Sequence, residues 1–161
     1  MAMNNMNLQE MKTFMEEVQQ DLPKAKKSKK IECSWNFAQG KPQIISKMQH
    51  ARGETILQAD FAPFMGGEGL APDPIQYCLF GLAACFAGTF MSVATMRGIE
   101  IQDLRVSAEN FTDLSKSLGL SDNPIVERVK IVAIVKSSAS ETQIKDVERM
   151  ANERCPGVYC L

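Results

Sequence analysis

Residues 73–98 read DPIQYCLFGLAACFAGTFMSVATMRG, and this stretch decides the architecture. Asp73 can cap a helix, Pro74 suits the first helical position, and Gln76 sits where a capping box wants Glu or Gln. From there to Arg97 the run is apolar nearly all round: Tyr77, Leu79, Phe80, Leu82, Phe86, Phe90, Met91, Val93 and Met96. Gly98 ends it. Such a helix is expected to be buried on most sides in a water-soluble protein. At about 1.5 Å per residue it is roughly 36 Å long. A single domain of 161 residues would struggle to cover that length, so a second subunit is expected to help.

Upstream, Leu8, Met11, Met15, Val18 and Leu22 recur at spacings of three and four, which predicts an amphipathic helix over 8–22 ending before Pro23. Five lysines follow within Lys24–Lys30, read as a solvated linker. Ile31, Cys33, Trp35 and Phe37 alternate with polar residues, predicting a half-buried strand over 31–37. Turns at Gln39–Pro42 and Arg52–Glu54 separate further strands at 43–50 and 55–61, which makes an antiparallel meander. Residues 62–72 are loop by their Gly and Pro content.

Downstream, 104–111 and the β-branched 125–136 read as strands joined by a polar loop. Ser140 and Gln143 repeat the capping-box pattern, and Ile144, Val147 and Met150 (or Ala151) give the last helix its inner face. Pro156-Gly157 stops that helix one residue after Cys155. The sum is strands, a central helix, strands and a second helix: an α+β fold rather than an alternating one. Residues 1–30 form an N-terminal helix and Lys-rich linker, and 31–161 form the main domain.

A net charge of −1 gives no reason to expect a nucleic-acid or membrane partner drawn by bulk charge. No apolar run approaches the roughly 18 residues needed to span a bilayer. The first residues lack the basic-then-apolar pattern of a secretory signal, so a cytoplasmic address is expected. Five cysteines, an odd number, argue against a secreted disulfide framework and for a reducing compartment.

Any chemistry is therefore thiol chemistry. Cys85 lies mid-helix among small residues (Gly81, Ala83, Ala84, Ala87, Gly88), so a backbone or a substrate can approach closely. Its plain alternative is a core cysteine. Cys155 closes the last helix, where the dipole disfavours a thiolate and neighbouring Arg154 offsets it; its alternative is a plug at a helix end. Cys78 and Cys85 are about 10.5 Å apart along one helix, too far to bridge. Cys155 and Cys160 could approach across Pro156-Gly157 as a redox or metal pair. With His50 the single histidine and no close CxxC, no metal centre and no cofactor is expected. Phosphate-loop, Rossmann and Ser-His-Asp patterns are absent.

The string Gly66-Gly67-Glu68-Gly69-Leu70-Ala71-Pro72-Asp73-Pro74, followed by a helix holding Ala84-Cys85, resembles the OsmC/Ohr family of osmotically inducible and organic-hydroperoxide-resistance proteins. The likeness runs through Arg97-Gly98-Ile99 to Glu153-Arg154-Cys155-Pro156, and its glycine-rich loop looks most like the OsmC-like branch. The resemblance implies antiparallel sheets wrapped around two long helices in an intertwined homodimer. It further implies that Cys85 is the peroxidatic nucleophile, Cys155 the resolving thiol, an organic hydroperoxide the substrate and a cellular dithiol the reductant. The family's peroxidases carry a glutamate nine or ten residues before the helix cysteine, paired with an activating arginine. Here those positions hold Gln76 and Ile75. Arg52 is the candidate cation, and Glu68 or Asp73 the candidate carboxylate. A neutral amide cannot pair with arginine as a charge, which leaves a rival reading: a non-catalytic dimer binding an apolar small molecule at its interface. A third reading makes the N-terminal helix and lysines a docking arm.

Overall fold

The computed structural model describes residues 2–160. A two-residue pair, β1 (Ala2–Met3) and β2 (Met6–Asn7), turns on Asn4 and Asn5, both at positive φ, and had no counterpart in the pattern reading. Helix α1 (Leu8–Gln20) starts under Asn7, whose side-chain oxygen accepts from the Gln9 and Glu10 N–H groups, and a 3-10 turn (Leu22–Ala25) follows. Strands β3 (Cys33–Trp35), β4 (Ile44–His50) and β5 (Gly53–Ala59) form the expected antiparallel meander. A 3-10 turn (Pro63–Met65) leads to α2 (Pro74–Met96), then β6 (Ile101–Thr112), β7 (Val126–Ser137), α3 (Glu141–Arg154) and the short α4 (Pro156–Cys160). The α+β class and the antiparallel sheets are those expected. The chain divides into two compact units, one of residues up to Glu17 with Leu79 onward, the other Val18–Cys78.

In the first unit, α2 supplies Phe86, Phe90, Val93 and Ala94, α3 supplies Val147 and Ala151, and Ile99 and Cys155 complete a buried core. The β6–β7 ladder presents Leu104, Val106, Ile131, Ala133 and Val135 to it, with Leu104 opposite Val135 and Val106 opposite Ala133. Period-two alternation explains why these five share a face. Phe90 is fully buried, and truncating such a residue costs about 3–5 kcal/mol. Both helix starts are capped as expected. Asp73 accepts from the Ile75 N–H at 2.7 Å while Gln76 Oε1 accepts from the Asp73 N–H at 2.8 Å. Ser140 and Gln143 make the same reciprocal pair on α3. Gly98, at φ +70°, ends α2 with bonds from its own N–H to Thr95 O and from Ile99 N–H to Ala94 O. Asn4 then ties the N-terminal hairpin on: its Nδ2 donates to Thr95 Oγ1 and Ile99 O, and its Oδ1 accepts from Ile101 N–H.

Three expectations need correction. The helix α2 is not buried on most sides: only Leu82, Phe86, Phe90, Val93, Ala94 and Thr95 are buried, a single stripe, and Phe80 is 70% exposed. The claim that no run could span a bilayer fails on length and composition, because Pro74–Met96 reaches a mean hydropathy of 1.7 despite its Gly, Ser, Thr and Gln; its buried stripe packs as core with α3 and the β6–β7 ladder. The first meander strand is three residues long and lies exposed; it ends at Asn36, whose N–H donates to Gln43 O, whose Nδ2 donates to Pro42 O, and whose Oδ1 accepts from Ala38 N–H in a local turn. After Cys155 the chain is helical again over Pro156–Cys160, and Leu161 lies outside the described residues.

Candidate active site

Asp60 in one unit and the thiols Cys85 and Cys155 in the other are withdrawn from solvent to different degrees. In the second unit, Asp60 follows β5 and is 1% exposed. Its Oδ2 accepts from the N–H groups of Glu68 and Leu70, and its Oδ1 from that of Gln43. Gln43 adds two bonds, its Oε1 accepting from Phe61 N–H and its Nε2 donating to Gly66 O. Together they pin the glycine-rich loop to the strand ends. The Leu70 N–H, helped by those of Glu68 and Gln43, holds the Asp60 carboxyl below the usual carboxylate range despite burial. Gly67 is obligatory here, since a Cβ would stand 1.9 Å from Phe61 O. Pattern reading missed Asp60 because it took residues 55–61 as one strand; the available signal was an acid directly before a Pro- and Gly-rich loop.

In the first unit, α2 and the α3–α4 junction bring the thiols together. Cys85 is half-buried and packs against the core cluster, and its main-chain oxygen accepts from Thr89 Oγ1 at 2.9 Å. Cys155 caps the C-terminus of α3 and is fully buried in the core. Between them passes Gly157, whose N–H donates to Cys85 Sγ at 3.3 Å. A Cβ on Gly157 would lie 3.3 Å from Cys85 Sγ and 3.6 Å from Cys155 Sγ, so both sulfurs border one small volume that glycine leaves open. Burial pushes the Cys85 thiol up; the Gly157 N–H opposes this, and the Cys155 and Cys160 sulfurs add to the rise. No arginine or lysine of this unit stands among those principal influences. Arg97 and Arg149 are occupied instead by Asp146, and Arg149 also by Glu153.

An apolar cavity of about 300 Å³ shares these elements, lined by Leu82, Val129, Ile131, Asn152 and Val158. Leu82 lies one turn before Cys85 on α2, and Val158 follows Gly157 directly.

The remaining candidates sit in the second unit. Arg52 lies in the exposed turn between β4 and β5, its N–H donating to His50 Nδ1. Gln76 serves the α2 cap, Asp73 is the cap itself, and Glu68 contributes its N–H to Asp60 from an exposed position. Among the described residues, no three His, Cys, Asp or Glu side chains gather as a metal ion would require.

The fold matches solved structures at low identity. An OsmC-like protein from Mycoplasma pneumoniae is 22% identical, with 83% of this chain and 86% of that chain covered and a TM-score of 0.59. An organic hydroperoxide resistance protein OsmC from Legionella pneumophila is 18% identical, with 83% and 90% covered and a TM-score of 0.56. The organic hydroperoxide resistance protein OhrB of Bacillus subtilis is 20% identical, with 83% and 89% covered and a TM-score of 0.51. No curated protein matches the chain in sequence. The family model described as OsmC-like protein matches residues 67–161, from the glycine-rich loop through both facing thiols, and the chain belongs to that family.

Proposed function

We propose that this OsmC-like protein reduces organic hydroperoxides with its own thiols. The meeting of the Cys85 and Cys155 sulfurs around Gly157 carries the reading. The Cys85 thiolate attacks the peroxide O–O bond, the alkoxide leaves and takes a proton, and Cys85 becomes a sulfenic acid. The Cys155 thiol then displaces hydroxide as water and forms a Cys85–Cys155 disulfide, which a cellular dithiol reduces to restore both thiols. The apolar lining of Leu82, Val129, Ile131 and Val158 favours an organic hydroperoxide over hydrogen peroxide. Activity in this reading belongs to a homodimer in the cytoplasm. Exposed apolar side chains on α2, with Phe80 at 70% and Ile75 at 45%, support a second copy as their cover, and five free thiols suit a reducing compartment.

Mass spectrometry after one equivalent of cumene hydroperoxide tests the reading, with a Cys85–Cys155 bond expected. Cys85→Ser is expected to abolish dithiol-dependent peroxide consumption, and Cys155→Ser to leave a single turnover. Equal consumption by wild type and Cys85→Ser overturns it.

A second reading is favoured by the raised Cys85 thiol and by Ile75 and Gln76 standing where the family's acid would be. It makes the protein a non-catalytic dimer that binds an apolar small molecule, its thiols being packing. A titration placing the Cys85 thiol at or above the ordinary thiol range, with no peroxide consumed, selects it.

A further inference from the structure

Cys155, the proposed resolving thiol, is fully buried, so a dithiol protein cannot reach its sulfur from solution. Cys160 is exposed. Cys155 directly precedes α4 and Cys160 is its last residue, and the helix is held by Val158 packed against the core and by Tyr159 Oη donating to Glu153 O at 3.1 Å. Gly157 turns its Cα toward Cys85, with a Cβ there only 2.9 Å from Cys85 Cβ. Cys160 comes three residues after Gly157 and therefore lies on the same face of α4, about 4.5 Å further along its axis. The Cys160 sulfur also acts electrostatically on the Cys85 thiol, as expected of a neighbour. Buried Cys155, half-buried Cys85 and exposed Cys160 thus gather about one short helix.

We infer that Cys160 is an exchange thiol: its thiolate attacks the Cys85 sulfur of a Cys85–Cys155 disulfide, Cys155 leaves as a thiolate, and the resulting Cys85–Cys160 disulfide is the one an external dithiol reduces. One thiolate of that dithiol attacks the Cys160 sulfur and releases Cys85 as a thiolate. Its second thiol then breaks the mixed disulfide, freeing Cys160 and closing the partner's own disulfide. Two electrons pass from the dithiol to the protein, and the protein returns to its three thiols. The inference rests on Cys85 and Cys155 being a redox pair.

The test uses the full chain in a Cys33→Ser/Cys78→Ser background, which removes the other two exposed thiols. Diamide forms the disulfide without any peroxide, so the exchange is tested apart from the peroxidase reading. Chymotrypsin, cutting after Tyr159, separates Cys155 from Cys160 for peptide mapping. Diamide-treated Cys155→Ser is expected to yield a Cys85–Cys160 bond. Oxidised Cys160→Ser is expected to be reduced by a thioredoxin-type protein at least tenfold more slowly than wild type, while a small phosphine reduces the two within twofold of each other. Equal rates with the protein dithiol, or no Cys85–Cys160 bond in Cys155→Ser, overturn the exchange role. If diamide joins Cys85 to Cys155 but cumene hydroperoxide does not, the peroxidase reading fails alone and the exchange stands on the rates.

Discussion

Asp60 and Cys85 are both withdrawn from water, yet their environments move them in opposite directions. The Asp60 carboxylate meets three main-chain N–H groups, from Leu70, Glu68 and Gln43, and is held in its charged form. Cys85 receives one, from Gly157, and burial wins over it, so the neutral thiol is favoured. Each arrangement needs a glycine to let the backbone close in, Gly67 beside Phe61 O and Gly157 beside the two sulfurs. The number of oriented donors, set against desolvation, decides which group is charged. A carboxylate so satisfied builds structure, whereas a thiol left partly unsatisfied keeps its reactivity in reserve.

Three perturbations bear on that contrast. Gly67→Ala places a Cβ at 1.9 Å from the Phe61 main-chain oxygen, and a clash with backbone cannot be relieved by rotating a side chain. We expect a loss of about 3 kcal/mol in chemical denaturation; a change under about 0.5 kcal/mol would show that the loop is not clamped as described. Gly157→Ala is gentler, since its Cβ would meet Cys85 Cβ at 2.9 Å and α4 can shift. Displacing the one donor on Cys85 should slow its alkylation by iodoacetamide about tenfold at neutral pH, the cost of a weakened hydrogen bond to a charged group. Unchanged alkylation would mean that this N–H does not support the thiolate. The mildest perturbation is pH itself. The folded Asp60 pKa lies below its unfolded value, so its stabilising contribution is present above the ordinary carboxylate range and is lost as pH falls through the lowered value. Proteolysis within residues 62–70 is expected to quicken in acid, and not in Asp60→Asn. Cys85, shifted upward, should instead react faster as pH rises past the ordinary thiol range. A rate already level at neutral pH would contradict the shift.

Local signals survived best in this sequence. Asp73, Pro74 and Gln76 announced the start of α2, and Ser140 with Gln143 that of α3, because a cap is settled within four residues. The β-branched run over 125–136 marks β7 for the same reason. Alternation overreaches at β3, where Ile31 and Phe37 continue the pattern but the strand covers only Cys33–Trp35 and Asn36 opens a local turn onto Ala38. The Asn4 tie to Thr95, Ile99 and Ile101 was illegible, since nothing near Asn4 says what lies more than ninety residues later. The same holds for the site. No spacing predicts that Cys85 meets Gly157 seventy-two residues on; the resemblance supplies Cys85 with Cys155 and is silent on Asp60, Gly157 and Cys160.

The hydrogen bond that Cys85 receives comes from the main chain, and this gives it an unusual genetic position. A residue change at 157 can shift the donor, but only proline removes it, and a glycine codon needs two base changes to become one for proline. The anchor of the other unit is far more fragile, because one base change converts the aspartate at 60 into asparagine. One base change at codon 157 can therefore move this donor, as Gly157→Ala does, but cannot remove it, whereas one at codon 60 removes the carboxylate itself.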